Sequence, residues 1–139
     1  MEHLVKSHHT GKYYTSNESI SRIRETCPEC GSWDNIILSY EEGEKDSTLE
    51  EYFSKDYNND LSILACTEAG LTKKDVINTS ITHFFHNEIM IQGLLESGVI
   101  TKEESKKYLK ISKQTEKKEL KRIKKSLRLH LSYNEKKGN

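Results

Sequence analysis

Apolar residues recur at helical spacing between residues 72 and 100, which is the clearest periodic pattern in the chain. Thr72 and Asp75 have the spacing of an acidic capping box, in which each side chain accepts a hydrogen bond from the other residue's backbone N–H. Gly98 is suited to the position that ends a helix. The pattern predicts a helix whose inward face consists of Ile77, Ile81, Phe84, Ile91 and Leu95.

A second helix is predicted from Thr101 to about Tyr133. Thr101 and Glu104 repeat the capping-box spacing, and the single proline of the chain, Pro28, lies far upstream. The apolar stripe of this helix consists of Leu109, Leu120, Ile123, Leu127 and Leu131. Because only a short corner separates the two helices, we expect a C-terminal helical hairpin.

The first half of the chain has shorter apolar segments and weaker periodicity. Residues 1–15 show no clear period and are interpreted as a flexible arm. The short elements predicted after it are a helix from Ser16 or Asn17 to Arg24 with Ile20 and Ile23 facing inward, a strand at Ile36–Leu38, a helix that starts at Ser47 or Thr48, and a strand at Leu61–Cys66.

The motif Cys27-Pro28-Glu29-Cys30-Gly31 carries the most specific chemistry in the sequence. Two thiolates at this spacing form half of a tetrahedral zinc site, and Gly31 can take the positive φ that such a knuckle needs. A redox pair would open a helix after a buried strand, whereas a strand-like segment follows this motif. We therefore predict a bound zinc ion and an α+β, mostly helical fold, in which a small zinc-knuckle or ribbon-like β element packs on the C-terminal helical hairpin.

The remaining zinc ligands are open. Cys66 follows a predicted strand, where a ribbon has its second knuckle, and His83 and His86 lie three residues apart on one flank of a predicted helix. Glu68, His8 and His9 are less suited, since adjacent histidines in an arm rarely close a structural site. The predicted metal ligands are Cys27, Cys30, Cys66, His83 and His86.

Composition and charge limit the classes of function. The chain has 139 residues, three cysteines and no long apolar segment, which favours one small domain in a reducing, cytoplasmic compartment without a membrane span. The formal net charge is zero, yet residues 101–139 carry 14 basic and 5 acidic residues. Phosphate-binding glycine loops, Gly-x-Ser-x-Gly and His-Glu-x-x-His motifs do not occur, so we expect a protein that is not an enzyme. We divide the chain into the arm at 1–15, a core at 16–100, and a basic amphipathic helix and tail at 101–139.

Residues 27–78 resemble the N-terminal zinc ribbon of transcription factor IIB proteins. The resemblance rests on CPECGS, on YEEGE at the ribbon's hairpin, and on LACTEAGL at residues 64–71, where Ala69 replaces the fourth cysteine. It implies that Cys27, Cys30 and Cys66 bind zinc and that the protein docks on RNA polymerase. Separately, residues 88–111 resemble the helix hairpin of short C-terminal (SHOCT-type) domains. The resemblance rests on the sequence GVITKEE at the corner of the hairpin.

Two charged segments are the predicted contact surfaces. We expect a small regulator that binds a large intracellular machine, RNA polymerase or another nucleic-acid enzyme, through acidic residues that imitate a phosphate backbone. These acidic residues are Glu41, Glu42, Glu44 and Asp46. The alternative is direct nucleic-acid binding, which gives strongly salt-dependent affinity. Its residues are Lys117, Lys118, Lys121, Arg122, Lys124, Lys125 and Arg128.

Three further interpretations remain beside these. The basic and acidic segments are also consistent with solvated surfaces, and charge-split small proteins of this kind are typical of bacteria and their phages. A homodimer through the leucine stripe of residues 120–131 is an alternative, although its short length favours core packing. Attachment to a membrane surface is disfavoured because this stripe has no Trp or Phe.

Overall fold

The computed structural model describes residues 2–40 and 45–138, with Tyr40, residues 45–48 and residues 127–138 described by their backbone alone. The fold is α+β and mostly helical with a C-terminal helical hairpin, as the sequence predicts, and its β element is a three-stranded antiparallel sheet. The elements are β1 (Glu2–Lys6), β2 (Tyr13–Ser16), α1 (Ile20–Ile23), β3 (Asn35–Tyr40), α2 (Lys45–Ser54), α3 (Asp60–Glu68), α4 (Lys73–Glu96) and α5 (Lys102–Gly138).

The sheet has β1 at its centre, between β2 and β3, and both pairings are antiparallel. Leu4 and Val5 of β1 are completely buried, and Nδ1 of His3 lies 2.7 Å from Oγ of Ser39 on β3. The prediction of an arm without regular structure is therefore wrong for residues 2–6 and 13–15. Its error has a physical cause: β1 is stabilised by a strand more than thirty residues away, which local periodicity does not report.

Two short elements differ from the sequence prediction. Helix α1 starts after Ser19, whose side chain accepts from the N–H of Arg22, and Ile20 is exposed rather than inward-facing. The strand expected at Leu61–Cys66 is wrong, since these residues lie in helix α3. Short apolar segments do not distinguish a strand from a helix.

The ends of the long helices agree with the sequence. The N–H of Thr72 donates to Asp75 at 3.1 Å, and the N–H of Asp75 donates to Oγ1 of Thr72 at 3.2 Å. Thr101 and Glu104 form the same reciprocal pair, at 2.9 and 3.1 Å. Both predicted capping boxes are confirmed, and Gly98 lies at φ +74° in the corner between α4 and α5.

The inward face of α4 is rotated from the predicted one. Phe84 and Ile91 are completely buried as expected, but Ile81 is 43% exposed. Val76 and Leu94 are completely buried in its place. Ile81 therefore faces solvent, although isoleucine is a residue type that is usually found in protein cores.

The described residues form two compact units. Unit 1 comprises Met1–Tyr52 with Ile89–Leu109, and unit 2 comprises Phe53–Glu88 with Lys110–Asn139. The predicted boundaries near residues 15 and 100 do not coincide with this division. In unit 1 the ring of Tyr13 lies so close to Gly93 that a Cβ there would meet Cε2 at 2.8 Å. In unit 2 the buried core cluster is Ile63, Val76 and Ile123.

Among the described residues, no helix is both long enough and apolar enough to cross a membrane.

Candidate metal centre

Four metal-ligating side chains of unit 1 converge at one point. The ligand atoms of His8, His9, Cys27 and Cys30 all lie within 4.8 Å of one another, close enough to bind a single metal ion. We refer to these four residues as the His/Cys cluster. Among the described residues, the His/Cys cluster is the group of three or more histidine, cysteine or acidic side chains whose ligand atoms lie this close together.

The knuckle contributes the two sulfurs. The N–H of Cys27 donates to the carbonyl oxygen of Ser32 at 2.8 Å, and the N–H of Gly31 donates to that of Cys27 at 2.9 Å. Gly31 has a φ of +70°, as predicted from its place after the second cysteine. These bonds hold the Cys27–Gly31 segment in a tight turn, in which the two sulfurs lie within 4.8 Å of each other.

The loop between β1 and β2 contributes the two imidazoles. The N–H of Ser7 donates to the carbonyl oxygen of Lys12 at 2.9 Å, and that of Gly11 donates to Ser7 at 3.0 Å. His8 and His9 lie inside this closed loop, with their ring centroids 3.9 Å apart. The hairpin therefore fixes two adjacent histidines that a loose arm would leave unplaced.

Asp34 orients His8. One oxygen of Asp34 lies 2.7 Å from Nδ1 of His8 and accepts the His8 backbone N–H at 3.2 Å, while the other accepts the Tyr14 hydroxyl at 2.5 Å. The opposite ring nitrogen, Nε2, is buried without a hydrogen-bond partner. A carboxylate behind one imidazole nitrogen and a free second nitrogen facing a cysteine pair is the arrangement of a metal-bound histidine.

The electrostatics of the cluster favour a thiolate. Backbone N–H groups of Cys30 and Glu29, followed by His8, lower the pKa of Cys27 to about 6. The neighbouring Cys27 side chain raises the pKa of His8 against the effect of burial, with further support from Asp34. Burial opposes ionisation of Asp34, yet the hydrogen bonds from Tyr14 and His8 lower its pKa overall. The thiolate is the form of cysteine that binds metals.

The other predicted ligands belong to unit 2, whereas Cys27 and Cys30 belong to unit 1. Cys66 is a helical residue of α3 that packs against the Ile63, Val76 and Ile123 cluster. His83 is half-buried and stacks on the ring of Tyr57, with centroids 4.6 Å apart. The described metal-ligating group contains neither Cys66 nor the histidines of α4.

His83 and His86 instead line a surface cleft of about 490 Å³ in unit 2. The other lining residues are Tyr57, Asn78, Thr79 and Thr82. Burial lowers the pKa of His83, so the neutral imidazole is the favoured form there.

The sequence contains two clues to the His/Cys cluster. His8 and His9 precede a glycine three residues from His8, which is suited to a tight hairpin, and Asp34 follows the knuckle by four residues. Neither clue shows which partners meet, since that depends on pairing β1 with β3.

The structure describes only some of the residues predicted to contact a partner or a nucleic acid. Glu41, Glu42 and Glu44 lie outside the described residues, as do the side chains of Asp46 and Arg128. On α5 the lysines at 117, 118, 121, 124 and 125 are exposed.

Arg122 is engaged within unit 2. Its Nη1 donates to Asp56 at 2.7 Å, and its Nη2 donates to the carbonyl oxygen of Asn58. Next to it, the completely buried carboxylate of Glu119 accepts the backbone N–H groups of Tyr57 and Asn58, at 2.5 and 3.0 Å. Together these two side chains of α5 fix the loop between α2 and α3.

Comparison of this chain with protein-family models, with curated proteins and with solved structures finds no match.

Proposed function

We propose that this protein is a nonenzymatic binding protein whose unit 1 is stabilised by one zinc ion held by His8, His9, Cys27 and Cys30. The observation that carries the proposal is the convergence of these four ligand atoms within 4.8 Å. Two cysteines and two histidines form a closed structural zinc set, which leaves no open position for a substrate.

The distances support zinc as the ion. Zinc–sulfur bonds of about 2.3 Å and zinc–nitrogen bonds of about 2.0–2.1 Å place tetrahedral ligand atoms roughly 3.3–3.8 Å apart. The ligand atoms of the His/Cys cluster lie at most 4.8 Å apart, which is at most about 1.0–1.5 Å beyond that spacing. Asp34 is the carboxylate that such a site uses to orient a histidine.

The partner in this proposal is a large nucleic-acid machine, with RNA polymerase as the first case to test. The resemblance of CPECGS to the ribbon of transcription factor IIB proteins supports this choice, together with the acidic residues near position 44. Zinc would serve the interaction by holding the small unit 1 folded, because a chain this rich in charge has a modest apolar core.

Native mass spectrometry of the purified chain tests the metal site. We expect one zinc ion per chain, lost from Cys30→Ser and from His8→Ala. The exposed residue Glu29 lies inside the knuckle but is not a ligand, so Glu29→Gln is the matched control and should retain the ion. A folded wild-type chain that binds no zinc would overturn the proposal.

Binding to purified RNA polymerase tests the partner. Neutralising the acidic residues, as Glu41→Gln, Glu42→Gln, Glu44→Gln and Asp46→Asn, should abolish binding. The control neutralises four acidic residues that are exposed in the structure, namely Glu25, Glu29, Glu68 and Glu103. Equal loss from both variants would show that only the net charge matters, and no binding by the wild type would reject this partner.

Direct nucleic-acid binding is the second candidate, because five exposed lysines lie on one side of α5. Lys117, Lys121 and Lys124 fall within about 60° of one another at 100° per residue, and Lys118 and Lys125 extend the same face. We expect Lys→Glu changes at Lys117, Lys118, Lys121 and Lys124 to abolish a gel shift. The same change at the exposed lysines 12, 55, 73 and 106 provides the control.

A further inference from the structure

An uncharged, exposed face runs along α4. Residues 76–87 contain no Asp, Glu, Lys or Arg, although 32% of the chain is charged. Within and just beyond this segment, Ile81, Phe85 and Ile89 are 43%, 58% and 53% exposed. Loss of charge together with an exposed aromatic residue is the composition of the centre of a protein interface.

The exposed residues of this face form a regular seam on one helix. Counted from Phe85, its members lie four, seven and eleven residues away in both directions, which at 3.6 residues per turn keeps each within about 40° of Phe85. All seven are exposed. They are Lys74, Asn78, Ile81, Phe85, Ile89, Gln92 and Glu96.

The order of residue types along the seam is palindromic. Ile81 and Ile89 flank Phe85, and the next positions outward are both amides, Asn78 and Gln92. The outermost positions break the symmetry in sign alone, since Lys74 is basic and Glu96 is acidic. A palindrome whose ends carry opposite charges is complementary to itself when it is reversed.

We propose that α4 pairs with α4 of a second copy of this chain, antiparallel and across a two-fold axis at Phe85. In a two-fold interface each residue meets its counterpart reciprocally. Phe85 then packs on Phe85 of the second copy, and Ile81 on Ile89. Asn78 lies opposite Gln92, and Lys74 lies opposite Glu96, so that two ion pairs close the two ends of the seam.

Charge complementarity selects this arrangement over a parallel pair. A parallel pairing would place Lys74 against Lys74 and Glu96 against Glu96, where like charges repel. The antiparallel pairing converts both repulsions into attractions. Steps of three and four residues, as along this seam, are also the spacing that lets ridges of one helix enter grooves of another.

The size of the contact predicts its strength. Residues 74–96 extend along about 33 Å of helix. One pair of helices of this length buries less than the roughly 1,600 Å² of a standard interface, so we expect a reversible dimer with a Kd on the order of micromolar.

Sedimentation equilibrium of the full chain, over concentrations that bracket this Kd, tests the dimer. Phe85→Lys places two like charges at the axis and should weaken dimerisation by about tenfold or more. Leu61, on α3, is 78% exposed, so Leu61→Lys makes a similar change outside the seam and should leave the Kd unchanged. Circular dichroism checks whether both variants keep their helices.

A charge exchange tests the orientation. Lys74→Glu should weaken the dimer by about threefold, because Glu then faces Glu96, and Lys74→Glu with Glu96→Lys should restore it. Lys73→Glu is the matched control, since Lys73 is exposed and points about 120° away from the seam. Glu near a helix start is favourable, so helix loss would not explain a weaker dimer.

Three results would overturn the proposal. They are a wild-type chain that stays monomeric at every concentration, a dimer that survives Phe85→Lys, and a double exchange that is as weak as Lys74→Glu alone. A wild-type chain that holds one zinc ion and stays monomeric would overturn the dimer alone, whereas a zinc-free wild-type chain that still dimerises would overturn the zinc site alone. Failure of the dimer is therefore distinguishable from failure of the zinc site.

Discussion

The carboxylate of Asp34 lies 2.7 Å from Nδ1 of His8 and leaves Nε2 of that ring free. The contact joins the start of β3 to the loop between β1 and β2. It determines which ring nitrogen can face the sulfurs, and so connects the sheet to the chemistry of the His/Cys cluster.

Removing this carboxylate should weaken zinc binding without removing a ligand. We expect Asp34→Ala to lower the affinity for zinc by about 10- to 100-fold, as loss of such a supporting group does elsewhere. Asp34→Asn should have a smaller effect, because its amide oxygen still accepts a hydrogen bond. Competition with a chromophoric chelator measures both, with Glu25→Gln as the surface control. An affinity equal to the wild type in Asp34→Ala would show that His8 is oriented without Asp34.

Metal binding should not depend on the cysteine and histidines of unit 2. Cys66→Ser and His83→Ala should retain one zinc ion per chain in native mass spectra, because both residues belong to unit 2 whereas the His/Cys cluster belongs to unit 1. Loss of zinc from either variant would instead support the ligand set expected from sequence alone.

The buried carboxylate of Glu119 should matter for stability. Glu119→Leu leaves the backbone N–H groups of Tyr57 and Asn58 without their acceptor, so we expect the free energy of unfolding to fall by about 2 kcal/mol or more. Glu119→Gln keeps an accepting oxygen and should cost less. Urea unfolding followed by circular dichroism measures the change. A loss no larger than that of Lys118→Ala, at an exposed position on the same helix, would contradict it.

His83 should make stability fall in acid. Burial lowers its pKa below the 6.5 of an ordinary histidine, so the unfolded chain binds the proton more readily than the folded one. The free energy of unfolding should therefore decrease as the pH falls through 6.5 towards the lower folded value. The difference between the wild type and His83→Gln, measured above and below that pH, isolates this contribution. His86→Gln, at an exposed position one turn away, serves as the control; an equal pH dependence in the wild type and His83→Gln would contradict the assignment.

The features that depend on neighbouring residues were predictable from the sequence. Both capping boxes, the positive φ of Gly31 and the positions of α4 and α5 follow from side chains that act on backbone within one or two helical turns. The two sulfurs of the His/Cys cluster, three residues apart in the knuckle, belong to the same group. In each case the interacting atoms are close along the chain, so the local pattern contains the answer.

The tertiary structure decided the rest. Residues 2–6 form a strand that pairs with both β2 and the distant β3, and the pairing with β3 brings the loop of His8 and His9 beside the knuckle. Likewise, Ile81 has the residue type and spacing of a core position, yet packing buries Val76 and Leu94 and leaves it in solvent. An apolar residue type gives a position a tendency to be buried. Which apolar positions are buried depends on contacts between distant parts of the chain.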